Sequence, residues 1–244
     1  MRLNLCRLYW LILPLIVVAF LPSCNFVTVN GNDNVIKEER PITPFTSIAV
    51  KGGMKVHLQQ GEAKTAVIEA ESNIAPLVIL ERDGDKLTVK LKDDVNVRTH
   101  KAFDVYLSTN ELNKVVIAGA GDIDLLGTFT SKEEMSVKIA GAGSITGKVD
   151  APAVSSSIAG AGDIKLTGQT RDLKVSIAGA GSFISPDLMS ENASVSIAGS
   201  GDARVHASVS LKAKIAGTGD IIYKGSPQLS SSIAGSGSIK KADQ

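Results

Sequence analysis

Apolar and polar residues alternate with a period of two along most of the chain after residue 45. Val115 and Ile117, for example, lead into a glycine turn, and Ile123 and Leu125 resume the alternation after it. This spacing predicts β-strands that bury one face and expose the other. The chain is therefore expected to consist of short strands joined by tight turns.

One turn organises these strands: Ile-Ala-Gly-x-Gly followed by Asp or Ser occurs seven times between residues 115 and 239. Successive copies are 22, 19, 19, 20, 18 and 18 residues apart, and they lack a helical apolar period. Such repeats are too short for helix pairs and fit coils that stack with strands about 4.8 Å apart. The predicted fold is all-β: a right-handed parallel β-helix (β-solenoid) with about 18–22 residues per coil.

The turn glycines have a structural explanation, because Gly adopts corner conformations that cost other residues energy. The residue between them is always Ala, Ser or Thr, which lets successive corners stack. The predicted structural turn residues are Gly119, Gly121, Gly141, Gly143, Gly160, Gly162, Gly179, Gly181, Gly199, Gly201, Gly217, Gly219, Gly235 and Gly237.

The residue after each turn forms a ladder of Asp and Ser, which raises the hypothesis of a calcium-binding repeat module. The ladder reads Asp122, Ser144, Asp163, Ser182, Asp202, Asp220 and Ser238. Calcium requires clustered oxygen ligands, whereas this alternation mostly separates the carboxylates. We therefore expect a solvated ladder in which Ser spaces like charges, with no metal and no cofactor. Asp202 and Asp220, the one adjacent pair, are the candidate ligands if an ion binds.

The remaining segments differ in pattern. Residues 45–114 keep the strand alternation without the glycine turn, and they are predicted to form irregular N-terminal rungs of the solenoid or a β cap on it. Residues 24–44 show no periodicity and are predicted to form a flexible tether. Residues 240–244 form a charged C-terminal tail, which is expected to protect an open sheet edge.

Residues 1–23 have the features of a secretory signal: Arg2 and Arg7, an apolar run over residues 8–21, and then Ser23-Cys24. Leu21-Pro22-Ser23-Cys24 resembles a bacterial lipobox, whose Cys is lipidated and carries several acyl chains such as palmitate. Cys24 is the only Cys after the signal, so it has no disulfide partner. The sequence predicts an outer-membrane lipoprotein, periplasmic or surface-facing, with a membrane anchor at Cys24.

Net charge and the candidate catalytic residues reduce the number of functions that the chain could have. The 26 basic and 25 acidic residues give a net charge of +1, which argues against nucleic-acid binding. His57, His100 and His206 have no ligand or triad spacing, and Asp93-Asp94 and Glu133-Glu134 are interpreted as charged loop tips. Parallel β-helices also include enzymes, so a polysaccharide-degrading enzyme is the alternative to a non-enzymatic protein.

Several motifs together resemble the head GIN domain family over roughly residues 45–239. They are Phe45-x-x-Ile48-x-Val50-x-Gly52, Val56-x-Leu58-x-x-Gly61 and the repeated Gly-Ala-Gly-Asp-Ile, all after a lipobox. Members are usually named putative auto-transporter adhesins, are common in Bacteroidetes and are similar to right-handed parallel β-helices. The resemblance implies a surface-exposed binding or structural role without a catalytic motif. The expected function is that of a non-enzymatic cell-envelope lipoprotein, adhesin-like or scaffolding, which binds protein or polysaccharide.

Overall fold

The computed structural model describes residues 27–242, which form 21 β-strands, one 3₁₀ turn (Ala75–Leu77) and no α-helix. The first nine strands are β1 (Val27–Asn30), β2 (Val35–Pro41), β3 (Ser47–Gly52), β4 (Lys55–Gln60), β5 (Thr65–Glu71), β6 (Val78–Asp83), β7 (Lys86–Leu91), β8 (Val95–Arg98) and β9 (Asp104–Thr109). The next six are β10 (Lys114–Gly119), β11 (Asp122–Thr130), β12 (Met135–Gly141), β13 (Ser144–Gly160), β14 (Asp163–Gly179) and β15 (Ser182–Ile184). The last six are β16 (Leu188–Gly199), β17 (Asp202–His206), β18 (Ser210–Gly217), β19 (Asp220–Lys224), β20 (Gln228–Gly235) and β21 (Ser238–Lys241).

Most of these strands stack in parallel as a β-solenoid, and the predicted fold class is confirmed. Strands that run into the glycine corner pair only with their equivalents in neighbouring coils, as β12 does with β10 and with residues 154–160 of β13. We call the sheet that these incoming strands form the first face. Strands that leave the corner, such as β11, β17 and β19, stack in the same way on the second face. The long strands β13 and β14 run continuously through both faces.

The glycine corners keep perfect register from coil to coil: Gly119, Gly141 and Gly160 are direct partners. Gly179 has φ +128°, a conformation that L-residues rarely adopt, and a Cβ there would lie 2.3 Å from the Gly160 carbonyl oxygen. At Gly181 the conformation is unstrained, but an added Cβ would lie 2.3 Å from the Gly162 carbonyl oxygen. Stacking of identical corners therefore requires Gly at both positions.

The early coils do not follow chain order. Strand β3 lies between β7 and β10, and β4 lies between β9 and β11. The β3–β4 coil is thus inserted between the later β7–β9 coil and the first glycine-turn coil. Antiparallel strands β2, β5 and β6 close the N-terminal end of the solenoid. Residues 45–114 accordingly contribute both coils and a cap.

The prediction of a flexible tether over residues 24–44 is wrong for the described part of that segment. Strand β1 pairs in parallel with β8, and β2 pairs with β5 over seven residues. The intervening loop is held by the buried carboxylate of Glu71, which accepts the backbone N–H of Asp33. The mostly charged strand β2 can still form an edge strand because its partner β5 supplies the buried face. Similarly, Lys240 and Lys241 belong to β21 rather than to a tail.

The core consists of rows of inward-facing side chains, in which equivalent residues of successive coils stack on one another. The Ile of six successive turns, from Ile117 to Ile215, is at most 3% exposed, whereas Ile233 in the last coil is 46% exposed. Phe183 is fully buried at a position where other coils place Ile or Ala. Ser156 also points into the core and is 1% exposed, but its hydroxyl has no hydrogen-bond partner among the described residues.

Within residues 27–242, no helix is long and apolar enough to cross a membrane.

Candidate functional site

The Asp–Ser ladder next to the corners is a hydrogen-bonded structural element. The backbone N–H and the hydroxyl of Ser144 both donate to Asp122 Oδ1, at 2.9 and 2.6 Å. Ser238 makes the same two bonds to Asp220 Oδ1, each at 2.8 Å, and these bonds lower the pKa of the Asp220 carboxyl. Each such carboxylate thereby binds the start of the next coil.

The two candidate calcium ligands take part in this ladder. Asp202 Oδ1 accepts the backbone N–H of Asp220 at 2.9 Å. No group of three or more His, Cys, Asp or Glu side chains in residues 27–242 is placed to hold a metal ion. The geometry thus gives these carboxylates a structural role.

A different group of polar side chains lies on the outer surface of the second face in the early coils. It is centred on His57 of β4, and we call it the His57 cluster. Its members are Lys37, Lys55, His57, Glu69, Asp104, Tyr106, Asp122 and Asp124. Strand alternation points these side chains outward, while Val56, Val105 and Ile123 between them are fully buried.

His57 is held between two carboxylates. Its Nε2 lies 2.9 Å from Asp104 Oδ1, and its Nδ1 lies 3.6 Å from Asp124 Oδ2. Its ring stacks on Tyr106, with centroids 4.7 Å apart and planes inclined by 15°. Strand register produces this arrangement, because His57 is the direct partner of Tyr106 on one side and of Asp124 on the other.

The charges around His57 are paired in a line across the strands. Lys55 Nζ lies 2.8 Å from Asp124 Oδ2, and Thr146 donates its hydroxyl to Asp124 Oδ1 at 2.6 Å. Partial burial raises the pKa of Asp124, but the hydrogen bonds from Lys55 and Thr146 outweigh it, so the net pKa is lowered. The hydrogen bond between Lys55 and Asp124 also raises the pKa of Lys55. The cluster is therefore an ordered ion-pair network at neutral pH.

Tyr106 is the exposed aromatic residue of the cluster, with 37% of its surface accessible. Its pKa is raised first by partial burial and then by the negative charges of Asp104 and Glu69. Across the cap, Lys37 Nζ lies 3.3 Å from Glu69 Oε2. The phenol therefore stays protonated and lies among carboxylates.

The other candidates from the sequence lie apart from this cluster. His100 lines a cleft of about 840 Å³ with Lys51 and Phe103. His206 lines a second one of about 470 Å³ with Met189, at a corner of the later coils. Asp93 pairs with Lys90 at 3.5 Å. Cys24, the predicted lipidation site, lies outside the described residues.

Sequence reasoning did not find the His57 cluster. His57 and Asp104 are 47 residues apart, and no spacing rule joins them. They meet only because the β3–β4 coil is inserted between later coils. The sequence did indicate that His57, Tyr106 and Asp124 lie at outward-facing positions of their strands. Such a pattern identifies exposed positions but not which strands lie next to each other.

The chain resembles one known protein family and several solved structures. A profile described as "Putative auto-transporter adhesin, head GIN domain" matches residues 44–227. A search of the curated proteins found no match. A structure described as a putative adhesin from Bacteroides fragilis is 23% identical with a TM-score of 0.83, and the match covers 88% of this chain and 100% of that one.

Two further solved structures share the fold. One, described as a putative lipid binding protein from Parabacteroides distasonis, is 25% identical with a TM-score of 0.75, covering 89% of this chain and 100% of that one. Another, a putative adhesin from Parabacteroides merdae, is 22% identical with a TM-score of 0.68, and the match covers 88% of this chain and 99% of that one. Because the family profile matches most of the solenoid, from before β3 to the residue before β20, this chain belongs to the head GIN domain family of putative auto-transporter adhesins.

Proposed function

We propose that this protein is a non-enzymatic, adhesin-like lipoprotein of the cell envelope that binds a polysaccharide or a protein on its outer strand surfaces. The observation that carries this proposal is the regular outer surface of the stacked strands. Stacked coils give broad, regular surfaces of Ser, Thr and Lys, and one ordered polar and aromatic cluster interrupts them around His57. Rigid, repetitive surfaces of this kind suit extended ligands. Membership of an adhesin family supports the same conclusion.

Anchoring at Cys24 would place this body at the membrane surface. Strand β1 begins at Val27, three residues after Cys24. Three extended residues span at most about 10 Å. The first coils and their cap would then lie against the bilayer instead of being held away from it by a long tether. The relative described as a lipid binding protein makes vesicles a useful member of any ligand panel.

One observation favours the enzyme alternative. Asp104 and Asp124 converge on His57 with Lys55 beside them, which is the kind of grouping that polysaccharide-cleaving β-helices need. However, the two carboxylates contact opposite nitrogens of one imidazole, and Asp124 is already paired with Lys55. Side chains that satisfy each other in this way are positioned for structure and binding more than for attack on a glycosidic bond.

A ligand panel tests the proposal. The chain from residue 25 onward is passed over immobilised polysaccharides, extracellular-matrix proteins and phospholipid vesicles. We expect saturable binding to a polysaccharide or a protein, with no release of new reducing ends or unsaturated sugars. Cleavage products that disappear in an Asp104→Asn variant would establish the enzyme instead. Absence of binding to every polymer would contradict the adhesin proposal.

Cell fractionation tests the anchor. In a bacterial host that processes lipoproteins, the wild-type chain should sediment with outer membranes and require detergent for release. The Cys24→Ser variant should be soluble. A membrane-bound variant would contradict anchoring at Cys24.

A further inference from the structure

The aromatic pair at the centre of the His57 cluster is fixed before any ligand binds. His57 is held by Asp104 at one nitrogen and lies near Asp124 at the other, and its ring packs against Tyr106 in a nearly parallel stack. The backbone register of β4 and β9 holds both rings in place. Tyr106, 37% exposed, therefore offers an ordered apolar surface whose immobilisation costs little on binding.

Hydrogen-bond acceptors surround this surface. Asp104 uses Oδ1 to contact His57, and Glu69 uses Oε2 to contact Lys37. The second oxygen of Asp104 takes no hydrogen bond from a described side chain, whereas Glu69 also lies within hydrogen-bonding reach of the Tyr106 hydroxyl. Charged acceptors of this kind form strong hydrogen bonds with hydroxyl donors.

The charge of the cluster restricts what it can bind. Its carboxylates are Glu69, Asp104, Asp122 and Asp124, and its amines are Lys37 and Lys55. Apart from His57, four carboxylates against two amines leave an excess of two negative charges. Uronic acids and sulfated sugars would be repelled, whereas an uncharged ligand rich in hydroxyls would not.

We propose that the His57 cluster is a sugar-binding site that takes an uncharged hexose unit of a polysaccharide. The apolar face of the hexose stacks on Tyr106, and its hydroxyls donate to Asp104 and Glu69. The inference rests on the proposed binding function and names its ligand class. A protein ligand is less well matched, because protein hot spots fill desolvated pockets, and Tyr106 stands on an open strand surface.

Titration with defined sugars tests this assignment. The probes are cellohexaose, mannohexaose and chitohexaose, with polygalacturonate and heparin as acidic comparators, measured by calorimetry with the chain from residue 25 onward. We expect at least one neutral hexasaccharide to bind and the acidic polymers not to bind. Tyr106→Ala should weaken binding at least tenfold, and Tyr106→Phe should stay within about threefold.

The matched control is Met189→Ala, which truncates another exposed apolar side chain, 51% accessible, on β16, outside the cluster. It should leave sugar affinity unchanged. Melting curves of all variants separate loss of the site from loss of the fold. If Tyr106→Ala unfolds, Asp104→Asn takes its place: it removes the charge of a carboxylate that accepts the sugar hydroxyls and should also weaken binding, and unchanged affinity would overturn the site.

The outcomes separate this inference from the broader function. Neutral sugars that bind Tyr106→Ala as tightly as wild type overturn the site assignment and leave an adhesin that uses another surface. Binding of a protein but of no sugar overturns the ligand class. If the chain binds neither sugar nor protein, both proposals fail.

Discussion

Replacement of Ser156 by Val should stabilise the solenoid. Ser156 is buried in the core ladder of the first face, between Val137 and Val175 of the two neighbouring coils. An unsatisfied buried hydroxyl costs about 1–3 kcal/mol, and each buried methylene contributes about 0.8 kcal/mol. Overpacking could cost about 1–3 kcal/mol, but Val already occupies this position on both sides. The expected net gain is about 1–3 kcal/mol.

Thermal unfolding followed by circular dichroism measures this gain. For a chain of this length, 1 kcal/mol corresponds to about 2–4 °C, so the melting temperature should rise by about 2–12 °C. Ser157→Val, one residue further along and facing outward, is the matched control and should change stability by no more than about 0.5 kcal/mol. A Ser156→Val variant that melts at or below the wild-type temperature would refute the view that this hydroxyl lacks a partner.

Two other stability predictions follow from the corners and the cluster. Gly179→Ala combines a disallowed φ with a clash against the preceding corner and should cost about 2–6 kcal/mol in a melting experiment, whereas Gly61→Ala, with open space around it, should be nearly neutral. The folded-state pKa of Asp124 is lowered, so its stabilising effect is present above the ordinary carboxyl pKa and is lost as pH falls through the lower folded value. Wild type should therefore lose more stability than Asp124→Asn between pH 5 and acid conditions; equal acid sensitivity of the two chains would contradict the network described around Asp124.

The repeated part of the fold was predictable because each coil carries the same local information. Alternation specifies which residues of β12, β14 or β16 face inward, and the corner glycines specify where each strand stops. The repeated corner motif then favours one register, in which Gly141 lies on Gly160, and the differences in repeat length are taken up away from the corners. Local pattern and global packing agree at these positions, so the sequence was sufficient.

The early coils were not predictable in the same way. Nothing local in β3 or β4 indicates that they lie between β7–β9 and β10–β11, because that order rests on long-range strand pairing. The strands β1 and β2 were missed for a related reason. Their backbones are paired with β8 and β5, yet their side chains are exposed or only partly buried: β1 has only four residues, and β2 is mostly charged. The candidate site, which needs β4, β9 and β11 side by side, could only be found from the folded structure.

The measurement that most directly tests a binding site at the His57 cluster is a ligand titration followed by the NMR signals of histidine and tyrosine side chains. The described residues include three histidines and two tyrosines, so His100, His206 and Tyr223, which are not members of the cluster, serve as internal controls. We predict that the signals of His57 and Tyr106 shift together and saturate with the bound fraction, while the three control signals stay in place. Saturable binding that leaves His57 and Tyr106 unchanged would contradict the account.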